Sequence, residues 1–257
     1  MIPRGVKTLL KRTAPGRLIG SGGRRAFRVL REGKPTGRRL RGLTKKLATR
    51  LWSIGSLPAV ATASTVWRRG GWKGRDGGIR RGRAVDAQVT RVVNSGTKKQ
   101  KSRQYSLTKL VFAALAEHGL EAVVAQRVVC DERLQLGTAA DVICYCELTR
   151  QLVVLELKCG CSGDRTAAAV DTHGKTLAMK APLDKVPDCV LNRHFVQLAC
   201  TRELLLRERK TLNRLLALGV DPVISGALLY VDDENTQLYN LDAYWSTRAA
   251  RMLRSLA

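Results

Sequence analysis

The chain has 257 residues and carries 46 Lys and Arg against 21 Asp and Glu, a formal net charge of +25. At 44% hydrophobic residues it can bury one sizeable core, which excludes a wholly disordered chain, and at 5% aromatic residues it is poorly supplied for binding by base stacking. No uninterrupted apolar run reaches the roughly 20 residues that span a bilayer, and the uncharged stretch 51–67 is broken by Gly55 and Pro58, so no membrane partner is expected.

Residues 1–78 read as a basic, largely irregular arm. Gly and Arg recur, Pro3, Pro15, Pro35 and Pro58 interrupt, and only a short helix near Leu40–Trp52 stands out. Residues 1–105 hold 28 of the basic residues and three acids, Glu32, Asp76 and Asp86, whereas 106–257 hold 18 of each sign. An arm so charged suits a polyphosphate, bound by counterion release with an affinity that falls steeply in salt. Residues 1–31, Arg-rich and without an acid, also have the composition of an organelle transit peptide, and solubilisation is a third role open to them.

From Ile79 the pattern becomes regular, and a folded domain is placed over 79–257. Val85, Val89, Val92 and Val93 recur on one helical face up to Gly96, followed by a basic loop, Thr97–Arg103. Ser106 is a good N-cap for a second helix that stops at Gly119. Ala122–Cys130, Ala139–Cys146 and Leu152–Lys158, rich in Val, Ile and Leu, predict three strands joined by short turns. A loop with several Gly and Pro leads to a long helix over Asn192–Leu218. A hairpin, Val223–Val231 with Gln237–Leu241, and a closing helix over Ala243–Leu256 complete the chain. The order α-α-β-β-β-α-β-β-α predicts the α/β class, with a central mixed sheet flanked by helices. Seven cysteines, with no secretory signal, point to free thiols in a reducing, intracellular compartment. Cys144/Cys146 and Cys159/Cys161 are CxC pairs rather than the CxxC knuckles that grip zinc.

Charges inside the apolar strands carry the chemistry. Asp141 interrupts one strand, and Glu156 and Lys158 interrupt the next. Because side chains i and i+2 share a strand face, Glu156 and Lys158 point one way while Leu155 and Leu157 point into the core. A short turn makes the strands antiparallel neighbours and sets Asp141 beside Glu156. Two carboxylates with an ammonium beside them suit Mg²⁺ or Mn²⁺, which prefer oxygen ligands and keep several waters. The plainer reading is a strand salt bridge between Glu156 and Lys158. His118 ends a helix as a C-terminal cation, His173 lies in a loop, and His194 sits near Gln197 at the start of the long helix.

Asp141, fourteen intervening residues, then Glu156-x-Lys158, on consecutive strands after a helix and before a long helix, resembles the PD-(D/E)xK nuclease superfamily. More narrowly it is similar to the RecB-type exonuclease branch. Gly137-Thr-Ala-Ala-Asp141 resembles that branch's strand entry, Gln197 in HFVQLACTRELL its helix motif, and RGRAVDAQV its first-helix motif. The resemblance spans roughly 79–245 and implies a restriction-endonuclease-like αβββαβ core that uses Mg²⁺ or Mn²⁺. It implies metal ligation by Asp141, Glu156 and the backbone carbonyl of Leu157, with Lys158 supporting the attacking water and Gln197 assisting. Asp86 stands where the family carries a metal-binding His, and its carboxylate suits the same ions. Thr201 stands at the place of a family Tyr, Ala140 at that of the signature Pro, and the cysteine spacing of the relatives that carry an iron–sulfur cluster is missing. The expected function is a metal-dependent deoxyribonuclease of replication, repair or recombination. It would bind DNA, or RNA, through the basic arm and act in a nucleus or an organelle nucleoid. The alternative is a non-catalytic nucleic-acid-binding protein that retains the nuclease fold.

Overall fold

The structure is a computed structural model that describes residues 1–19, 26–31, 34–53, 74–95, 104–159, 164–233 and 235–256. It is α/β: among the described residues, seven helices pack on an eight-stranded mixed sheet. The strands predicted from Val, Ile and Leu runs are β4 (Leu120–Asp131), β5 (Leu136–Cys146) and β6 (Gln151–Cys159), each antiparallel to the next. A crossover through α5 (Val190–Leu206) and α6 (Arg209–Ala217) returns the chain to β7 (Ile224–Val231). This strand pairs parallel to β6 and then turns back into β8 (Thr236–Asn240). The two preceding helices are α3 (Gly74–Ser95) and α4 (Ser106–Glu117), and α7 (Ala243–Ser255) closes the chain.

Period-2 alternation on the strands feeds two cores, one on each face. Val153, Leu155 and Leu157 of β6 pack with Val85, Val89 and Val93 of α3 and with Leu107, Val111 and Leu115 of α4. Leu152 and Val154 point the other way, to Val196, Leu204 and Leu205 of α5 and Trp245, Met252 and Leu253 of α7. Helices therefore cover both faces of a nearly continuous apolar sheet. No described helix is long and apolar enough to cross a membrane.

The basic N-terminal segment departs from the expectation of an irregular, separable arm. Its described part forms α1 (Val6–Arg12), a ribbon of β1 (Gly16–Ile19), β2 (Ala26–Arg31) and β3 (Lys34–Gly42), and α2 (Leu43–Arg50). Val6, Leu10, Leu43, Leu47 and Leu51 are fully buried in the core beneath α5. Arg41 and Gly42 pair in parallel with Leu136 and Gly137, which joins the ribbon to β5. Gly137 permits this approach: a Cβ there would lie 3.1–3.3 Å from Leu40 and Phe27. Two buried ion pairs fasten the segment further. Arg127 of β4 donates to the carbonyl of Leu10 and pairs with Glu208, while Asp188, paired with Arg193, accepts from the amide and hydroxyl of Ser53. Among the described residues, Arg39, Arg41, Lys45 and Arg50 of the segment are exposed, while its buried apolar side chains belong to the domain core. The boundary drawn at 78 is crossed as well, since α3 begins at Gly74.

The remaining differences are local. The long helix expected over Asn192–Leu218 is broken at Arg207–Glu208 into α5 and α6. The loop before it holds together through isolated bridges such as Ala168 to Cys189 and Ala178 to Pro187. The expected basic loop Thr97–Arg103 lies outside the described residues, as do Cys161 and residues 54–67 of the uncharged stretch. Among the described residues, the six cysteines form no disulfide.

Candidate active site

Pairing between β5 and β6 runs from Cys146–Gln151 to Val142–Leu155 and stops there. The next residues in register are Asp141 and Glu156, and at this level the strands part. In place of a strand partner, the Leu157 amide donates to Asp141 Oδ2 at 2.9 Å. Both carboxylates thus sit where the sheet opens, on its α5 side. Glu156 is only 2% exposed, and Asp141 keeps partial access to solvent. Lys158 Nζ and Gln197 Nε2 each donate to Glu156 Oε1 at 2.5 Å. Asp86, on the turn of α3 that carries buried Val85, is brought to the same place by a residue the sequence reading passed over. Gln126 Nε2 donates both to Asp86 Oδ1 at 2.9 Å and to Asp141 Oδ1 at 3.2 Å.

Gln126 reaches both carboxylates because its backbone is left-handed, with φ 54°, a conformation rare for a non-glycine residue. Neighbouring Ala125 is steadied by α3: Asn94 donates from Nδ2 to its carbonyl at 2.9 Å and accepts its amide on Oδ1 at 3.1 Å. The signal was present in the sequence. Gln126 interrupts the apolar run AVVAQRVVC as Asp141 interrupts its own strand. A cleft of about 580 Å³ opens beside Gln126, lined also by Lys11, Gly16, Asn94 and Ala139.

Beyond Lys158 the row continues. Tyr230 of β7 stands in register with Lys158, shares a 2.6 Å hydrogen bond with His194 Nδ1, and carries the Arg165 guanidinium 4.1 Å above its ring. Burial, with the positive charges of Lys158, Arg165 and Arg193, holds the His194 pKa well below its ordinary value, so this imidazole is neutral. The other sequence candidates fall elsewhere. His118 caps the C-terminus of α4, and His173 is exposed in the loop. Thr201 is buried and bonded back to the Gln197 carbonyl, so it offers no outward contact.

The electrostatics show two acids short of countercharge. Burial raises the Asp141 pKa, against the opposing pull of Lys158, the Leu157 amide and Gln126. Burial, and then the Asp141 charge, pushes Glu156 up to about 7 despite Lys158. Lys158 is the cation paired with Glu156, and its charge also acts on Asp141. Among the described residues no three His, Cys, Asp or Glu side chains converge closely enough to enclose a metal ion by themselves. A hard divalent cation that keeps most of its waters needs only one or two carboxylates. The facing pair, Glu156 buried and Asp141 partly so, with both pKa values raised by burial, fits such an ion. In comparison with known proteins, no family model and no curated protein matches the chain.

Proposed function

We propose that the protein is a Mg²⁺- or Mn²⁺-dependent nuclease that hydrolyses phosphodiester bonds of DNA at Asp141, Glu156 and Lys158. The observation that carries this reading is the facing of Asp141 and Glu156 where β5 and β6 part, with Lys158 bonded to Glu156. A structural ion pair needs neither the second buried acid nor the third, Asp86, held to it through Gln126. Acids kept in an apolar sheet are costly unless positive charge offsets them. The β4-β5-β6-β7 succession, with a helical crossover to a parallel fourth strand, supports a restriction-endonuclease-like core.

In this reading Asp141 and Glu156 hold the cation, with the Leu157 carbonyl completing its shell and Asp86 at its margin. The cation, when bound, lowers the pKa of a coordinated water and offsets charge on the phosphate. Lys158 orients the attacking water and, with its charge, steadies the phosphoryl oxygens. Gln197 fixes the Glu156 carboxylate in its rotamer, and Gln126 sets the spacing of Asp86 and Asp141. The His194–Tyr230 pair lines the wall beside Lys158, with the Arg165 guanidinium stacked on the tyrosine ring.

The test incubates labelled single- and double-stranded DNA and RNA with the protein, with and without Mg²⁺ or Mn²⁺, alongside a Mn²⁺ titration of two variants. Asp141→Asn should lose cleavage and metal affinity together. Lys158→Ala should lose cleavage and retain metal affinity, because it touches water and phosphate rather than the ion. Equal loss of metal affinity in both variants would show the roles to be wrong.

A further inference from the structure

Gln126 presents one amide nitrogen to two acids. Nε2 donates to Asp86 Oδ1 at 2.9 Å and to Asp141 Oδ1 at 3.2 Å, so both of its N–H groups are spent between carboxylates of α3 and β5. Those two oxygens are therefore at most about 6 Å apart. Glu156 belongs to the same group: after burial, the charges of Asp141 and Asp86 both push its pKa up. The backbone is bent to make this contact. Gln126 is held at φ 54°, a strained conformation for a side-chain-bearing residue, and the pairing of β4 with β5 passes over both Gln126 and Asp141. What stands between two carboxylates decides how many cations a site takes. Paired divalent ions lie roughly 3.5–4 Å apart, and a carboxylate common to both would hold them there. Here Asp141 is the acid in that position, facing Glu156 where the strands part and tied to Asp86 through Gln126. An ion about 2.1 Å from both Asp86 Oδ1 and Asp141 Oδ1 would collide with Nε2, and an amide N–H is a donor that cannot ligate it. Room is not the obstacle, since a cleft of about 580 Å³ borders Gln126.

From this juxtaposition we propose that Gln126 restricts the site to one divalent cation: its amide occupies the position between Asp86 and Asp141 that a second ion would take, and Asp86 stays outside the metal shell. The inference rests on the nuclease reading and adds the number of ions and the residue that sets it. Gln126 acts as a positioning residue, through the acids rather than on the substrate. Its two N–H dipoles offset part of the repulsion between Asp86 and Asp141, the task a second cation would otherwise perform. The first ion keeps its ligands, because a carboxylate oxygen that accepts one hydrogen bond retains a lone pair for a metal.

The experiment counts Mn²⁺ bound to the full chain without DNA, by equilibrium dialysis, with thermal melting to show that each variant is folded. Ions are counted above the level of Asp141→Asn, which removes the ligand at the centre of the site. Wild type should bind one ion. Asp86→Asn should keep that ion and weaken it by no more than about tenfold, the effect of one nearby charge rather than of a lost ligand. Gln126→Glu, the same shape with an oxygen in place of the amide nitrogen, should bind two ions. Gln126→Glu combined with Asp86→Asn should return to one. Should the crowding of acids keep Gln126→Glu from folding, Gln126→Gly takes its place: it adopts φ 54° without strain, lacks the amide, and should bind two ions. A role confined to shaping β4 would leave every count at one. Two ions in wild type, one in the folded Gln126 variant, or loss of the wild-type ion in Asp86→Asn overturns the inference and leaves the nuclease reading standing. No ion in wild type sinks the nuclease reading, and the inference with it.

Discussion

Glu156 holds its position at a cost that depends on pH. Its folded pKa is raised to about 7, from an ordinary value of 4.5, because burial and Asp141 disfavour its charge. Between those two values the folded protein binds a proton that the unfolded chain releases. The associated stability is therefore complete below about 4.5 and lost as pH rises through about 7, amounting to about 3 kcal/mol at most. Metal-free protein should accordingly melt at lower temperature at pH 8 than at pH 5.5 by circular dichroism, and Glu156→Gln should flatten that dependence. Mg²⁺ should raise the melting temperature more at pH 8 than at pH 5.5, because a ligand that binds only the folded, ionised site stabilises it there. At this scale the sequence was informative about charges in apolar strands. Asp141, Glu156 and Lys158 stand out because water is the default environment for such groups. Gln126 was harder to see: an amide in a strand is ordinary, and only its left-handed backbone and its two acceptors make it part of the site.

Elements were legible where a local pattern decides them and illegible where a distant residue does. β5 and β6 follow from their Val, Ile and Leu runs and α4 from its apolar face, although Ser106 is the helix's first residue and Tyr105, without a side-chain cap bond, its N-cap. The break between α5 and α6 contains no Gly or Pro. It falls where Glu208, with ψ 62°, turns its carboxylate to buried Arg127 on β4, a partner 81 residues away. The ribbon escaped notice because its polar face is entirely basic, so Phe27, Arg28 and Val29 read as charge rather than alternation. The attachment of α3 to β4 is also non-local, since Asn94 replaces a strand partner for Ala125 on both its amide and its carbonyl. Asn94→Ala should therefore destabilise the fold by about 2 kcal/mol, the range for leaving buried backbone groups unsatisfied. Urea unfolding would show this as a lower midpoint at unchanged slope, and an unchanged midpoint would mean that the clamp contributes nothing.

For the molecule as a whole, the placement of residues 1–53 decides what can be removed. The sequence alone placed the folded domain at 79–257, with 1–78 as an irregular arm outside it. The burial of Val6, Leu10, Leu43, Leu47 and Leu51 reverses that expectation. At about 1.5–3 kcal/mol for each fully buried aliphatic side chain, their loss approaches the entire stability of a typical domain. A chain starting at residue 76 should be insoluble or molten, with no cooperative melting transition. A sharp transition within a few degrees of the full chain would restore the picture of a detachable arm. The same packing explains why the charge is asymmetric. The N-terminal segment contributes apolar side chains to a shared core and carries most of the positive charge, whereas residues 106–257 are neutral overall.

The central claim is that the acids exposed by the parting of β5 and β6 perform cation-dependent phosphodiester cleavage. It is tested most directly by single-turnover cleavage of end-labelled DNA, comparing wild type with Glu156→Gln at protein concentrations that saturate the DNA in both. Wild type should cleave in Mg²⁺ or Mn²⁺ and not in EDTA. Glu156→Gln, which keeps the shape and a hydrogen-bond acceptor but not the charge, should bind the DNA equally and cleave it roughly a hundredfold to a thousandfold more slowly, the order of loss that follows removal of a key electrostatic group. Cleavage by Glu156→Gln within a few-fold of wild type, or no cleavage of any nucleic acid by wild type in either metal, would contradict the account.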